Sequence, residues 1–192
     1  VSTEYVYGWD SGLFELSPNS FPAADAHTAR HKVIAVDYGC KQNILRCLTA
    51  AGCDVEVVPA TTSAAEILAR RPDGIFLANG PGDPAATAAY AKKEITQLLT
   101  KNIPIFGICI GHQLLALAFG GTTVKMSKGH RGANHPVRDL NTGRIEITSQ
   151  NHGFMVVEDS LPEEVEVSHV SLFDGSIAVS YTHLTLPTKN EV

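Results

Sequence analysis

Cys109 stands in the run Ile103-Pro-Ile-Phe-Gly-Ile-Cys-Ile-Gly-His-Gln113, where an apolar strand pattern gives way at once to a helical one. Gly107 and Gly111, two residues to each side, suit a sharp turn with closely packed neighbours that lifts the side chain between them out of the sheet. At a helix start, a thiol feels the positive end of the dipole and unpaired N–H groups, which lower its pKa and favour the thiolate. The same N–H groups, including that of Ile110, can stabilise the oxyanion formed when a carbonyl is attacked. The chemistry on offer is nucleophilic acyl transfer. Taken alone, the stretch also reads as a buried cysteine at a tight strand–helix joint.

A second loop, Asn79-Gly-Pro-Gly-Asp-Pro84, follows an earlier strand pattern. Gly80 and Gly82 let the backbone approach a ligand closely and aim N–H groups at it. By itself this hexapeptide is also an ordinary Pro/Gly turn. Set after strands of one sheet, both loops fall at the carboxyl ends, where open α/β sheets bind ligands.

The elements that must carry these loops follow from periodicity. Lys32–Asp37, Asp54–Val58, Gly74–Ala78 and Ile103–Ile108 read as short buried strands. Between them, Asn43–Ala51 has helical spacing, a capping box at Ser63-Ala-Ala-Glu66 opens a helix, and Thr87–Thr100 forms a longer one. A last helix runs from about Gly111 to Phe119. This alternation predicts an α/β fold with an open, mostly parallel sheet covered by helices. Beyond Gly121, Thr122–Met126, Arg144–Ser149, Phe154–Val157 and Val165–Ser168 read as strands without intervening helices. They predict an antiparallel extension.

Residues 1–31 read as a connector, being aromatic-bearing up to Leu16 and rich in Pro, Ala, Ser and Asp thereafter. A net charge of −5 and the lack of a Lys/Arg cluster argue against nucleic acid as a ligand. No apolar run is long enough to span a membrane, and no secretory leader pattern opens the chain. The four cysteines have neither Cys-x-x-Cys nor zinc-site spacing, which fits a reduced, cytoplasmic protein. Cys40, Cys47 and Cys53 read as small buried apolar side chains, the first two on one helix face. No second ligand stands at metal spacing from His112, His130, His135 or His152, and His27 and His31 read as solvated. No metal or Walker-type nucleotide loop is expected.

Gly107-Ile-Cys-Ile-Gly-His-Gln113 is similar to the nucleophile motif of class I glutamine amidotransferases, and Asn79–Pro84 resembles their glycine-rich loop. Within that class, four further segments resemble carbamoyl-phosphate synthetase small subunits. These are Asp37-Tyr-Gly-Cys-Lys-Gln-Asn-Ile-Leu-Arg46, Gly129-His-Arg-Gly-Ala-Asn-His-Pro-Val137, Gln150-Asn-His-Gly-Phe154 and Ser171-Leu-Phe-Asp-Gly175. The resemblance runs from Val1, in what looks like an interdomain connector, to about Ala178. It implies that Cys109 attacks the side-chain amide of L-glutamine, forms a glutamyl thioester and releases ammonia to a synthetase large subunit. That partner, not this chain, would hold ATP and magnesium. Gly80, Gly82, Ile110, Gln113, Asn151, Gly153 and Phe154 match the family's glutamine-contacting positions. Gln113 would hydrogen-bond the substrate, and the Asn151–Phe154 loop would take its α-amino and carboxylate ends.

The resemblance then fails at one place. The family follows Ser-Leu-Phe-Asp-Gly with His-Pro-Glu, the base and its orienting carboxylate. Here residues 179–192 read Val-Ser-Tyr-Thr-His-Leu-Thr-Leu-Pro-Thr-Lys-Asn-Glu-Val, and neither His183 nor Glu191 inherits those roles by motif. The expectation is a domain over 32–178 with a foreign tail, lacking its family's preceding domain and nearly inactive as it stands. Two other functions remain in view: the glutaminase of an anthranilate-type synthase, and a non-catalytic module that binds glutamine or a partner.

Overall fold

The structure, a computed structural model, describes residues 2–17, 19–23 and 31–182. Four strands rich in β-branched residues pair in parallel in the order β3-β2-β4-β5: β2 (His31–Asp37), β3 (Cys53–Pro59), β4 (Gly74–Leu77) and β5 (Ile105–Gly107). Helices α1 (Gln42–Ala50), α2 (Ala64–Ala69), α3 (Pro84–Leu99) and α4 (Ile110–Ala118) alternate with them. Because side chains alternate along a strand, β2 sends Ile34 and Val36 to one face and Val33 and Ala35 to the other. The first pair joins a core with Ile67 of α2, Ile95 and Leu98 of α3, and Leu114 of α4. The second joins one with Val55, Val57, Phe76 and Leu45 of α1. Burial on both faces explains why β2 and β4 read as near-continuous apolar runs, whereas β3 carries Asp54 and Glu56, and Phe106 of the edge strand β5 is exposed.

Local chemistry sets the helix starts. Ser63 and Glu66 form the expected capping box, with Glu66 Oε2 accepting from Ser63 N at 2.9 Å. Glu94 of α3 adds a further bond there, accepting from Ala64 N at 2.7 Å, so α2 and α3 are tied as well as packed. Helix α3 starts three residues before the expected Thr87. Asp83 caps it by accepting from Ala85 N at 2.8 Å, and Pro84 fills the first helical position, where its missing N–H costs nothing.

The segment expected to be a connector is partly sheet. Tyr7–Trp9 form β1, which pairs antiparallel with the outer edge of β3. Ser2 Oγ accepts from Ala60 N at 3.0 Å, and Thr3 N donates to Asp37 Oδ2 at 2.8 Å. The Arg46 guanidinium of α1 lies 4.0 Å from the Phe21 ring centroid and 5.5 Å from that of Trp9. Trp9 Nε1 donates to Ser11 O at 2.8 Å. His27 and the rest of 24–30 lie outside the described residues.

The antiparallel extension is a sheet of its own, ordered β7-β6-β8-β9: β6 (Thr123–Asp139), β7 (Ile145–Val156), β8 (Val165–Ser171) and β9 (Ile177–Thr182). The strands expected at Arg144–Ser149 and Phe154–Val157 are one strand, and β6 runs thirteen residues past Met126. Register shifts between Lys125 and His130, and between Gly132 and His135, absorb the glycines without ending the strand. Residues 179–182 of the expected tail pair with β8. Residues 183–192, with His183 and Glu191, lie outside the described residues. Ala116 of α4, packed with Val156 and Ile177, joins the two sheets.

The cysteine expectations change in detail. Cys40 precedes α1, so it shares no helix face with Cys47, which is exposed; Cys40 and Cys53 are half-buried. His31 is exposed, as expected.

Candidate active site

Three turns meet at the carboxyl ends of the parallel strands, following β2, β4 and β5. The last carries Cys109 at φ 55°, ψ −112°, directly before α4. A non-glycine residue in such a conformation stores roughly 1–3 kcal/mol of strain and persists only when its surroundings fix it. They do so here. A Cβ on Gly107 would lie 2.5 Å from the Gly111 carbonyl carbon, and one on Gly111 would overlap the Leu77 carbonyl. Ile108 N donates to Leu77 O at 3.1 Å, stitching the turn to β4. Both glycines are therefore demanded by close approach, which is the reason the spacing is readable.

The thiol faces the backbone N–H groups of Ile110 and Gly80, with the Lys41 ammonium contributing from farther off. The sequence alone leads one to expect that such groups lower its pKa. Burial instead pushes the Cys109 thiol up, and the two N–H groups and Lys41 offset only part of that. The neutral thiol donates to Asn151 O across a 3.8 Å gap. Among the described residues, no imidazole or carboxylate is hydrogen-bonded to Sγ.

Strand β7 forms the opposite wall of a cavity of ≈ 1500 Å³ lined by Gly80, Gly82, Cys109, Gln113, Asn151, Gly153 and Phe154. Ile110 contributes its N–H, while its side chain is buried in the core. Gln113 is also buried, and its Nε2 donates to Phe154 O at 2.7 Å, so that N–H braces the wall. Asn151 Oδ1 accepts from Arg131 Nη1 at 2.7 Å. The Asn151–Phe154 segment is thus paired strand, not a free loop. Gly153 has open space where a Cβ would sit, whereas a Cβ on Gly129 of β6 would press on His152 O at 2.5 Å.

A histidine chain starts in this wall at His152, which also lines the cavity. His152 Nδ1 lies 2.9 Å from Phe154 O, and its Nε2 lies 3.3 Å from His130 Nδ1. His130 Nε2 reaches Asp174 Oδ2 at 2.9 Å. Burial would raise the Asp174 carboxyl, but hydrogen bonds from Ser176 and Ser171 and the nearby His130 hold it down at about 2. His112, in the first turn of α4, is pushed down to about 4 by burial and by His152, so its neutral ring meets Ser180 Oγ at 2.7 Å. Among the described residues, no group of three or more His, Cys, Asp or Glu is placed to hold a metal.

Sequence reasoning missed Lys41, Asn79 and Arg131 as parts of the site. Asn79 Oδ1 accepts from Lys41 N at 3.0 Å and its Nδ2 donates to Gly39 O at 3.3 Å, joining two of the three turns. Their one signal was membership of the quoted motifs; nothing in their spacing announces contact across 38 residues.

Residues 34–187 match the family model described as glutamine amidotransferase class-I. The chain is 60% identical over 177 residues to the carbamoyl phosphate synthase small chain of Ruegeria pomeroyi, covering 92% of this chain and 45% of that protein. For the protein of the same name in Zymomonas mobilis, identity is 58% over 178 residues, covering 93% and 47%. The chain thus spans about half the length of the curated relatives it matches. Among solved structures, a glutamine amidotransferase from Thermotoga maritima superposes with TM-score 0.59 at 16% identity, covering 79% and 70% of the two chains. PurLQS from the same organism gives 0.62 at 19% identity, covering 80% and 82%. These two share the fold.

Proposed function

The chain belongs to the class I glutamine amidotransferases, and on that premise we propose that it is the glutaminase part of a carbamoyl-phosphate synthetase. The observation that carries this reading is the placement of Cys109: a strained thiol before α4, facing the Gly80 and Ile110 N–H groups inside a large cavity.

In the proposed reaction, Sγ loses its proton and attacks the side-chain amide carbon of L-glutamine. The carbonyl oxygen becomes an oxyanion, stabilised by the Gly80 and Ile110 N–H groups. Collapse breaks the C–N bond, the nitrogen takes a proton and leaves as ammonia, and a glutamyl thioester remains. Water then attacks the thioester carbon and frees glutamate. The β7 wall around Asn151, Gly153 and Phe154 holds the amino-acid end of the substrate. Ammonia passes to a synthetase large subunit, which holds ATP and magnesium and makes carbamoyl phosphate for pyrimidine and arginine synthesis. Both close relatives named above support this choice over an anthranilate-type synthase. The setting is the cytoplasm.

The proton relay is the weak link of this chain. Burial holds the thiol in its protonated form, and no base touches it among the described residues. Turnover by the chain alone is accordingly proposed to be slow, with recovery when His-Pro-Glu follows Gly175 at the family spacing. The same observation favours a second reading, a module that binds glutamine without cleaving it.

Intact-mass analysis after incubation with glutamine separates the two. A glutamyl adduct that disappears in Cys109→Ser supports the glutaminase. Saturable glutamine binding without an adduct, even with His-Pro-Glu restored, supports the binding module.

A further inference from the structure

Asp37 ends β2 almost fully buried, at 7% exposure, and among the described residues no cation pairs with it. Its carboxylate is satisfied by three backbone N–H groups instead. Oδ1 accepts from Gly39 at 2.8 Å and Cys40 at 2.7 Å; Oδ2 accepts from Thr3 at 2.8 Å. A buried carboxylate is costly unless such bonds are complete, so the arrangement needs all three donors. Two of them belong to the turn after β2 and the third to the connector.

That turn sets the position of the loop beside the nucleophile. Asn79 bonds it at both Lys41 N and Gly39 O. Gly39, at φ +123°, backs onto Pro81, where a Cβ would lie 2.8 Å from Pro81 Cδ. Gly80 comes so near the Tyr38 carbonyl that no Cβ fits between them. The Gly80–Pro81 backbone, whose Gly80 N–H faces the Cys109 thiol, is therefore packed against Tyr38 and Gly39 of the turn shaped by Asp37.

We propose that Asp37 is a positioning residue for the nucleophile's oxyanion site, coupling the docked connector at Thr3 to the loop that carries Gly80. Loss of the Thr3 donor leaves Oδ2 short of a partner, and a carboxylate that turns to find one releases Gly39 and Cys40. The Gly80 N–H then drifts from the place where charge develops, which matters because such donors act only when fixed beforehand. The connector becomes a regulatory input to the site, not a tether alone. This inference rests on the reading of Cys109 as a glutaminase nucleophile.

The test compares two reagents on the whole chain and on two variants, Asp37→Asn and Thr3→Pro. The second removes the connector N–H together with the Thr3 hydroxyl that bonds Tyr5, so Thr3→Ala, which loses the hydroxyl and keeps the N–H, is its control. A chloroketone analogue of glutamine needs the oxyanion site to alkylate Cys109; iodoacetamide does not. In Asp37→Asn the chloroketone rate is expected to fall about tenfold or more, with the iodoacetamide rate within about threefold of the parent. Thr3→Pro should show the same selectivity to a smaller degree, and it alone decides the matter if circular dichroism finds Asp37→Asn unfolded. Equal changes with both reagents, or no change with either, would overturn the coupling. A parent chain with no preference for the chloroketone over iodoacetamide would instead overturn the glutaminase reading itself.

Discussion

Cys109 Sγ and the Asn151 carbonyl oxygen meet at 3.8 Å across the gap between the parallel sheet and the antiparallel one. The nucleophile comes from a turn after β5 and its acceptor from the middle of β7, so neither sheet makes the site alone. The bond also needs the thiol proton. Ionisation removes the donor and leaves Sγ to the Ile110 and Gly80 N–H groups, so the nucleophilic form has a different set of partners from the resting one.

Alkylation of Cys109 by iodoacetamide should therefore accelerate with pH beyond the ordinary cysteine range. Burial raises the thiol above its ordinary value of 9.0, and only the thiolate reacts. Mass-spectrometric rates at successive pH values would check this. A plateau already reached near neutrality would contradict the burial argument.

Gly111→Ala should destabilise the fold by about 1–3 kcal/mol or more, because the new methyl group overlaps the Leu77 carbonyl. Urea denaturation would read the loss. Gly153→Ala, with open space at the same test, serves as the matched control and should change stability little.

Leu114→Ala should cost about 2–5 kcal/mol, since the side chain is fully buried between α4 and the sheet. Its effect on Cys109 alkylation, measured well below the melting temperature, should be small. A large loss of reactivity in the folded variant would mean that α4 packing and the nucleophile turn are more tightly coupled than their geometry indicates.

Stability should fall in acid partly through His112. Its folded pKa is depressed from 6.5 to about 4, so the neutral ring favours the fold fully above pH 6.5. That contribution is lost as pH falls from 6.5 through 4, because the unfolded chain takes up the proton first. Urea midpoints measured across this window should decline less steeply in His112→Asn than in the parent. An unchanged slope would remove His112 from the account.

Arg131→Ala should weaken capture of a glutamine-like chloroketone by releasing Asn151 Oδ1 from its 2.7 Å bond. The concentration for half-maximal labelling should rise about three- to tenfold, which corresponds to the net value of about 1 kcal/mol for one exposed hydrogen bond. The limiting rate should change less.

The parallel layer is legible in the sequence because its signals are local. Burial on both faces makes β2 and β4 apolar runs, and the Ser63–Glu66 box marks the start of α2 within four residues. The elbow is legible for the same reason, since Gly107 and Gly111 are fixed by one turn. The second layer resists because β6 and β7 are held together by pairing between distant residues, such as Arg131 with Asn151. The β6 glycines Gly129 and Gly132, of a type that elsewhere ends strands, here sit at register shifts or close approaches. Strand β1 is hidden because three residues carry too short a pattern. Helix α3 begins early because Asp83-Pro84 serves as its cap and first residue as well as the end of the glycine loop. Ionisation of the thiol escapes sequence reasoning for want of burial, a quantity that no local run of residues contains.

Trp9 is the only tryptophan in the chain, and it sits on the strand that lays the connector against β3, beside the Arg46 guanidinium. Its fluorescence is consequently a built-in spectroscopic probe of one event. Emission from the indole reports whether the connector is seated, while circular dichroism follows the melting of the helices around the central sheet. Two optical signals from the unlabelled protein can thus time the release of the connector separately from collapse of the core.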